Sequence, residues 1–169
     1  ALETKRQVLG DEHPSTLGLI NNMGALLKNL RRYDEAFAYS NEALETSRRV
    51  LGDAHPSTAN AMNNMGALLK KQGKYDEALP YYKEALNSNR QVFGDENTKT
   101  LLSIERIGYL FYVQEKYEEA ENYFLEVHHT NIGKLGQDDP VVVKEYEFLV
   151  KFYEDWGKDD KAKIYRDKF

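Results

Sequence analysis

There is no cysteine among the 169 residues. Its absence removes disulfide frameworks, thiolate zinc sites, thiol nucleophiles and thiol redox switches together, so packing alone must hold the fold. Proline and glycine are scarce, at 4 and 11 residues, which excludes fibrous and low-complexity classes. No apolar run approaches the roughly 18 residues of a membrane span, and no signal-peptide pattern opens the sequence. No Asn-x-Ser/Thr acceptor occurs either, and a cytoplasmic address without membrane association is the expectation. Basic charge is in deficit: 23 Lys and Arg against 28 Asp and Glu give a net charge of −5. That is the wrong sign for a non-specific nucleic-acid binder, which needs clustered cations to displace phosphate counterions.

Chemistry-bearing motifs are missing too. There is no Walker-A loop, Gly-x-Ser-x-Gly, His-Glu-x-x-His or EF-hand ladder. His128-His129 is the one suggestive metal pair, but adjacent helical residues point about 100° apart and no partner ligand is in view. His13 and His55 each precede a proline and read as helix caps. Acidic pairs such as Asp138-Asp139 and Asp159-Asp160 read as helix starts. No metal, no cofactor and no catalytic group is expected.

What the sequence does have is a period. Val8-Leu9-Gly10-Asp11 returns as Val50-Leu51-Gly52-Asp53, Val92-Phe93-Gly94-Asp95 and Lys134-Leu135-Gly136-Gln137, each 42 residues after the last. Residues 8–49 and 50–91 agree at 25 of 42 positions, so the architecture is a repeat array. The expected units are 8–49, 50–91, 92–133 and a fourth, truncated at 134–169, with residues 1–7 ending a helix of a preceding repeat. The chain is read as a piece of a longer array.

Each unit reads as a helical hairpin. Pro14 suits a first helical turn, and Leu17, Ile20, Met23, Leu26, Leu27 and Leu30 recur at spacings of three and four, giving a helix A over about 14–30. Gln72-Gly73-Lys74 reads as a glycine C-cap. Helix B of that unit runs from Tyr75 to about Phe93, with Asp76 and Glu77 opposing the dipole. In the fourth unit helix B is expected over about 159–169. Gly24, Gly66 and Gly108, with Ala36, Ala78 and Ala120, are expected where two helices approach closely. The aromatics Tyr146, Phe148, Phe152, Tyr153 and Trp156 are expected to pack between helices.

The motifs Leu-Gly-Asp-x-His-Pro-Ser-Thr (9–16 and 51–58), Asn-Asn-Met-Gly-Ala-Leu-Leu-Lys (21–28 and 63–70) and Gly-Lys-Tyr-Asp-Glu-Ala-Leu-Pro-Tyr-Tyr (73–82) carry a resemblance to the tetratricopeptide repeat. The 42-residue form resembles that of kinesin light chains and nephrocystin-type proteins. The resemblance implies an all-α fold, an α-α superhelix of stacked antiparallel hairpins whose A helices line a concave groove. It also implies a protein or peptide partner, with self-association into a homo-oligomer, a spacer role, or attachment to a catalytic or nucleotide-switch domain as alternatives.

Groove positions read along the A helices are Asn21, Asn22, Lys28 and Asn29, then Asn63, Asn64, Lys70 and Lys71, then Arg106, Tyr109 and Tyr112. An amide side chain offers an acceptor and two donors, matching an extended peptide backbone. The lysines and Arg106 would favour an acidic ligand, and pockets near Tyr109 and Tyr112 would add selectivity. In kinesin light chains similarly placed asparagines and basic residues hold extended acidic peptides, and units one and two match that pattern; unit three departs from it at Glu105-Arg106. A carboxylate clamp of the chaperone-tail kind is not expected, because only Asn64 and Arg106 of its five positions match.

Overall fold

The computed structural model describes residues 2–168; Ala1 and Phe169, the outer ends of the first and last expected segments, lie outside the described residues. Among these residues there are nine helices and no strand. The chain divides into two compact units, Ala1–Ser103 and Ile104–Phe169.

The first unit contains α1 (Leu2–Leu9), α2 (Pro14–Asn29), α3 (Tyr33–Leu51), α4 (Pro56–Lys71) and α5 (Tyr75–Phe93). α2 packs with α3 and α4 with α5 as hairpins; α3 also packs on α4, and α2 lies beside α4. Helix α6 (Thr98–Tyr112) runs through the division. The second unit continues with α7 (Tyr117–Leu135), α8 (Pro140–Asp155) and α9 (Asp159–Arg166). The last helix therefore stops short of residue 169, with Asp167 as its C-cap.

The period is visible in the caps. His13 and His55 accept the N–H of Ser15 and Ser57 on Nδ1, both at 3.1 Å. At the same register Asn97 accepts from Lys99 at 2.9 Å and Asp139 from Val141 at 2.8 Å. Each satisfies an N–H that the first helical turn would leave orphaned.

At the other end of each A helix, the N–H of Arg32, Lys74, Lys116 and Lys158 reaches back five residues to the carbonyls of Leu27, Leu69, Phe111 and Tyr153, at 2.8–3.0 Å. This is a Schellman closure, and it needs a left-handed residue just before it. Those residues are Arg31 (φ 60°), Gly73 (77°), Glu115 (60°) and Gly157 (71°).

Where B returns to A in the first unit, arginine clamps the corner. Arg6, Arg48 and Arg90 contact Asp11, Asp53 and Asp95 at 3.3, 3.0 and 2.9 Å. Thr58 and Thr100 donate to the carbonyls of Gly52 and Gly94 at 2.7 Å. The fourth register has Ile132 and Gln137 in place of the arginine and aspartate.

The expected close approach exists, but its wall is the residue sixteen positions after each glycine rather than the alanine. A Cβ on Gly24 would stand 2.6 Å from Ser40 Oγ; on Gly66, 2.9 Å from the Tyr82 ring; on Gly108, 2.8 Å from the Phe124 ring. Ala36, Ala78, Ala120 and Ala162 are fully buried.

The core of the second unit is Ala120, Phe124, Leu149, Phe152, Tyr153 and Ala162. Its aromatics pack between helices as expected: Trp156 stacks on Tyr117 at 5.8 Å, Tyr146 meets His128 at 4.8 Å, and Phe148 meets Phe124 at 4.7 Å. The Tyr153 hydroxyl donates to Glu121 at 2.7 Å, and Lys161 contacts the same carboxylate.

Candidate functional site

In the first unit the surface of interest is the face of α2 and α4. Neither helix carries an acidic residue, while Lys28, Lys70 and Lys71 occupy their last turns. Asn22, Asn29, Asn60 and Lys71 are exposed; Asn21, Asn64, Lys28 and Lys70 are half-buried. The amide of Asn64 donates to Asn21 Oδ1 at 2.9 Å, tying the two helices together. Asn63 differs from the expectation of a groove position. It is buried, and its Oδ1 has no hydrogen-bond partner among the described residues. Helical spacing places it one residue from Asn64 and therefore about 100° around the axis, on the packed side.

A polar hollow of about 150 Å³ opens on this face, lined by Gly18, Asn21, Asn22, Ser47, Ser57 and Asn60 above Leu17. Neither Gly18 nor Ser57 stands out in the sequence as a surface group, and Ser47 lines the hollow from α3 as a buried residue. A Cβ on Gly18 would meet nothing within 4 Å, so its missing side chain leaves the hollow open rather than serving packing. The only sequence signal is that Gly18 stands one period before Asn60.

In the second unit a cleft of about 260 Å³ lies among α6, α7 and α8. Tyr109, Phe124, Val127, Val141, Phe148 and Leu149 make its apolar wall, and Glu105, Glu145, Lys144 and His128 its polar one. Tyr109 is partly exposed and packs edge-on against Phe124 and at a tilt against Phe148, both at 5.2 Å. His128 is buried, with Nδ1 3.0 Å from Glu145 Oε2, and Asn131 donates to Glu145 Oε1 at 2.6 Å. Burial first, then the neighbouring Glu145 charge, pushes the Glu105 carboxyl up, with Arg106 opposing. Burial and then Glu105 push the Tyr109 phenol up as well.

Arg106 is half-buried beside Glu105, and its Nε is buried without a hydrogen bond among the described residues. Of the two expected pocket tyrosines, Tyr109 lines the cleft. Tyr112 does not: its hydroxyl donates to Asp155, and its ring packs against Phe148, Phe152 and Phe124. His129 is exposed, with its ring 6.1 Å from that of His128. No helix among the described residues is long and apolar enough to cross a membrane.

Capped hairpins of 42-residue period, packed through glycine contacts, define a helical-repeat protein. The sequence model of the tetratricopeptide repeat matches residues 15–91 and, overlapping, 57–128, and the chain belongs to that family. Repeats of this family mediate protein–protein interaction and typically act as non-catalytic scaffolds.

Solved structures agree on the fold. BtubC (BKLC) from P. vanneervenii superposes with a TM-score of 0.79 at 22% identity, covering 90% of this chain and 61% of that one. A Podosopora anserina putative kinesin light chain with nearly identical TPR-like repeats gives 0.79 at 16% identity, over 92% of this chain and 74% of that one. A variant of it gives 0.83 at 16% identity, over 99% and 79%. This chain thus spans less than two thirds of the length of BtubC. No protein of curated function matches the chain.

Proposed function

We propose that the chain is a non-catalytic interaction module of an adaptor or scaffold protein, and that the α2–α4 face binds an extended acidic peptide segment. The observation that carries this reading is charge: two adjacent helices of 16 residues each hold three lysines and no carboxylate, in a chain whose net charge is −5. Two neighbouring helices without acidic residues favour an anionic partner in orientation and association rate. The exposed amides of Asn22 and Asn60 supply donors and acceptors for a peptide backbone. The asparagine pair adds to this, since the bond from Asn64 to Asn21 uses one donor and one acceptor and holds the remaining amide positions in a fixed orientation. An extended chain is favoured because its unpaired N–H and C=O groups are what such amides can read.

The test is calorimetric titration of the 169-residue chain with paired extended peptides that differ only in Glu or Gln at alternate positions. Tighter binding of the Glu peptide is expected. Asn22→Ala should weaken it by about 1–3 kcal/mol, and Lys70→Glu should weaken it further without altering the far-UV circular dichroism. Equal affinity for the Glu and Gln peptides, or unchanged affinity in Lys70→Glu, would overturn the reading.

A further inference from the structure

The cleft of the second unit has chemistry opposite to that of the α2–α4 face. Its volume, about 260 Å³, falls just below the roughly 300–1,000 Å³ of small-molecule pockets, which is the scale of one long side chain. Val141 and Leu149 give it an aliphatic wall, Tyr109 and Phe148 give it ring faces, and Glu105 and Glu145 place two carboxylates on it.

We infer that this cleft receives an arginine side chain from a partner protein, its methylenes against Val141 and Leu149, its guanidinium on Tyr109 or Phe148 and hydrogen-bonded to Glu105. The two carboxylates have different standing. Glu145 is held at both carboxylate oxygens from α7, by His128 and by Asn131, and its position is fixed by the fold. Glu105 accepts no hydrogen bond among the described residues, and the attraction that acts on it is the charge of neighbouring Arg106. It is half-buried with a second carboxylate facing it, and burial and that charge outweigh the attraction of Arg106, an arrangement that a further cation on the cleft side would relieve.

The ammonium of Lys144 also lines the cleft but is exposed, where solvent and salt screen it. Arg106 follows Glu105 on α6 and is not on the cleft wall. An aromatic face next to a desolvated carboxylate is what distinguishes a guanidinium site from a general apolar pocket: Arg stacks and bonds in a plane, whereas an ammonium is a point charge. An acidic side chain would meet two like charges.

This inference does not rest on the acidic-peptide reading of α2–α4, and its probe is different, so either can fail alone. The probe is a series of blocked tripeptides, acetyl-Ala-X-Ala-amide, with X as arginine, lysine, citrulline, norleucine or glutamate, titrated into the 169-residue chain and followed by NMR. The arginine peptide should shift the resonances of Tyr109, Phe148 and Val141, and bind roughly tenfold more tightly than the neutral isostere citrulline. Glu105→Gln should erase that difference while melting at an equal or higher temperature at neutral pH. Lys144→Ala should preserve or enlarge it. Citrulline or norleucine binding as well as arginine, arginine selectivity surviving in Glu105→Gln, or no shift at these residues up to about 10 mM peptide would each overturn the inference.

Discussion

The side-chain amide of Asn64 donates to Asn21 Oδ1 at 2.9 Å, and the two residues are 43 positions apart, one more than the repeat. The bond is therefore diagonal. The period mate of Asn21 is Asn63, which is buried, and that of Asn64 is Asn22, which is exposed. A bonded, half-buried pair contributes stability of about 0.5–1.5 kcal/mol, whereas an exposed asparagine falls within roughly 0.5 kcal/mol of alanine. A double-mutant cycle of Asn21→Ala and Asn64→Ala, read by urea denaturation, should show coupling of that size, while Asn22→Ala should leave stability almost unchanged. Strict additivity of the pair would show that the bond contributes nothing to folding.

The left-handed residue closing each A helix is glycine at 73 and 157 but Arg31 and Glu115 in the other two repeats, both at φ 60°. An L-residue there costs roughly 1–2 kcal/mol, partly offset because glycine loses more freedom on folding. Arg31→Gly and Glu115→Gly should each raise stability by up to about 1 kcal/mol. Gly73→Ala and Gly157→Ala should lower it. A Cβ at 73 or 157 would meet no atom within 4 Å, so those losses would be conformational rather than steric. Denaturation midpoints falling in the opposite order would refute the account.

These two cases mark what the sequence could and could not show. The hairpins, the histidine caps and the glycine at 73 follow from residue types whose local physics dictates one geometry. The left-handed turn at Arg31 is invisible locally, because nothing about arginine favours it; only its place 42 residues before Gly73 could signal it. Asn63 and Asn64 are one residue type set about 100° apart on α4, and which of the two is buried is decided by the docking of the neighbouring hairpin. The Glu105–Glu145 cleft joins residues on two helices 40 positions apart, off the period, so self-alignment could not pair them.

Glycines 18 and 66 should answer alanine with opposite signs. At Gly66 the added Cβ would stand 2.9 Å from the ring of Tyr82, which is only 1% exposed and cannot swing away. Overpacking of this kind costs about 1–3 kcal/mol. At Gly18 nothing lies within 4 Å, and alanine in a helix interior gains about 0.5–1 kcal/mol over glycine. Gly18 also borders the polar hollow, so Gly18→Ala should stabilise the fold yet weaken acidic-peptide binding. A Gly66→Ala protein melting at or above the wild-type temperature would contradict the close packing.

Alkaline unfolding should report on Tyr112. Its phenol is pushed from 10.0 up to about 12, first by burial and then by donating to the Asp155 carboxylate, which the phenolate could no longer do. A folded-state pKa raised above the unfolded one means the protonated form contributes stability in full below pH 10, and that contribution disappears as pH rises through about 12. Stability measured by urea titration from pH 9 upward should therefore fall across that window. Tyr153 is raised too, by burial and by Glu121, so Tyr112→Phe should flatten the fall without abolishing it. The same substitution should cost about 1 kcal/mol at neutral pH for the lost hydrogen bond. Identical slopes for wild type and Tyr112→Phe between pH 10 and 12 would mean that the Asp155 contact does not hold the phenol in its protonated form.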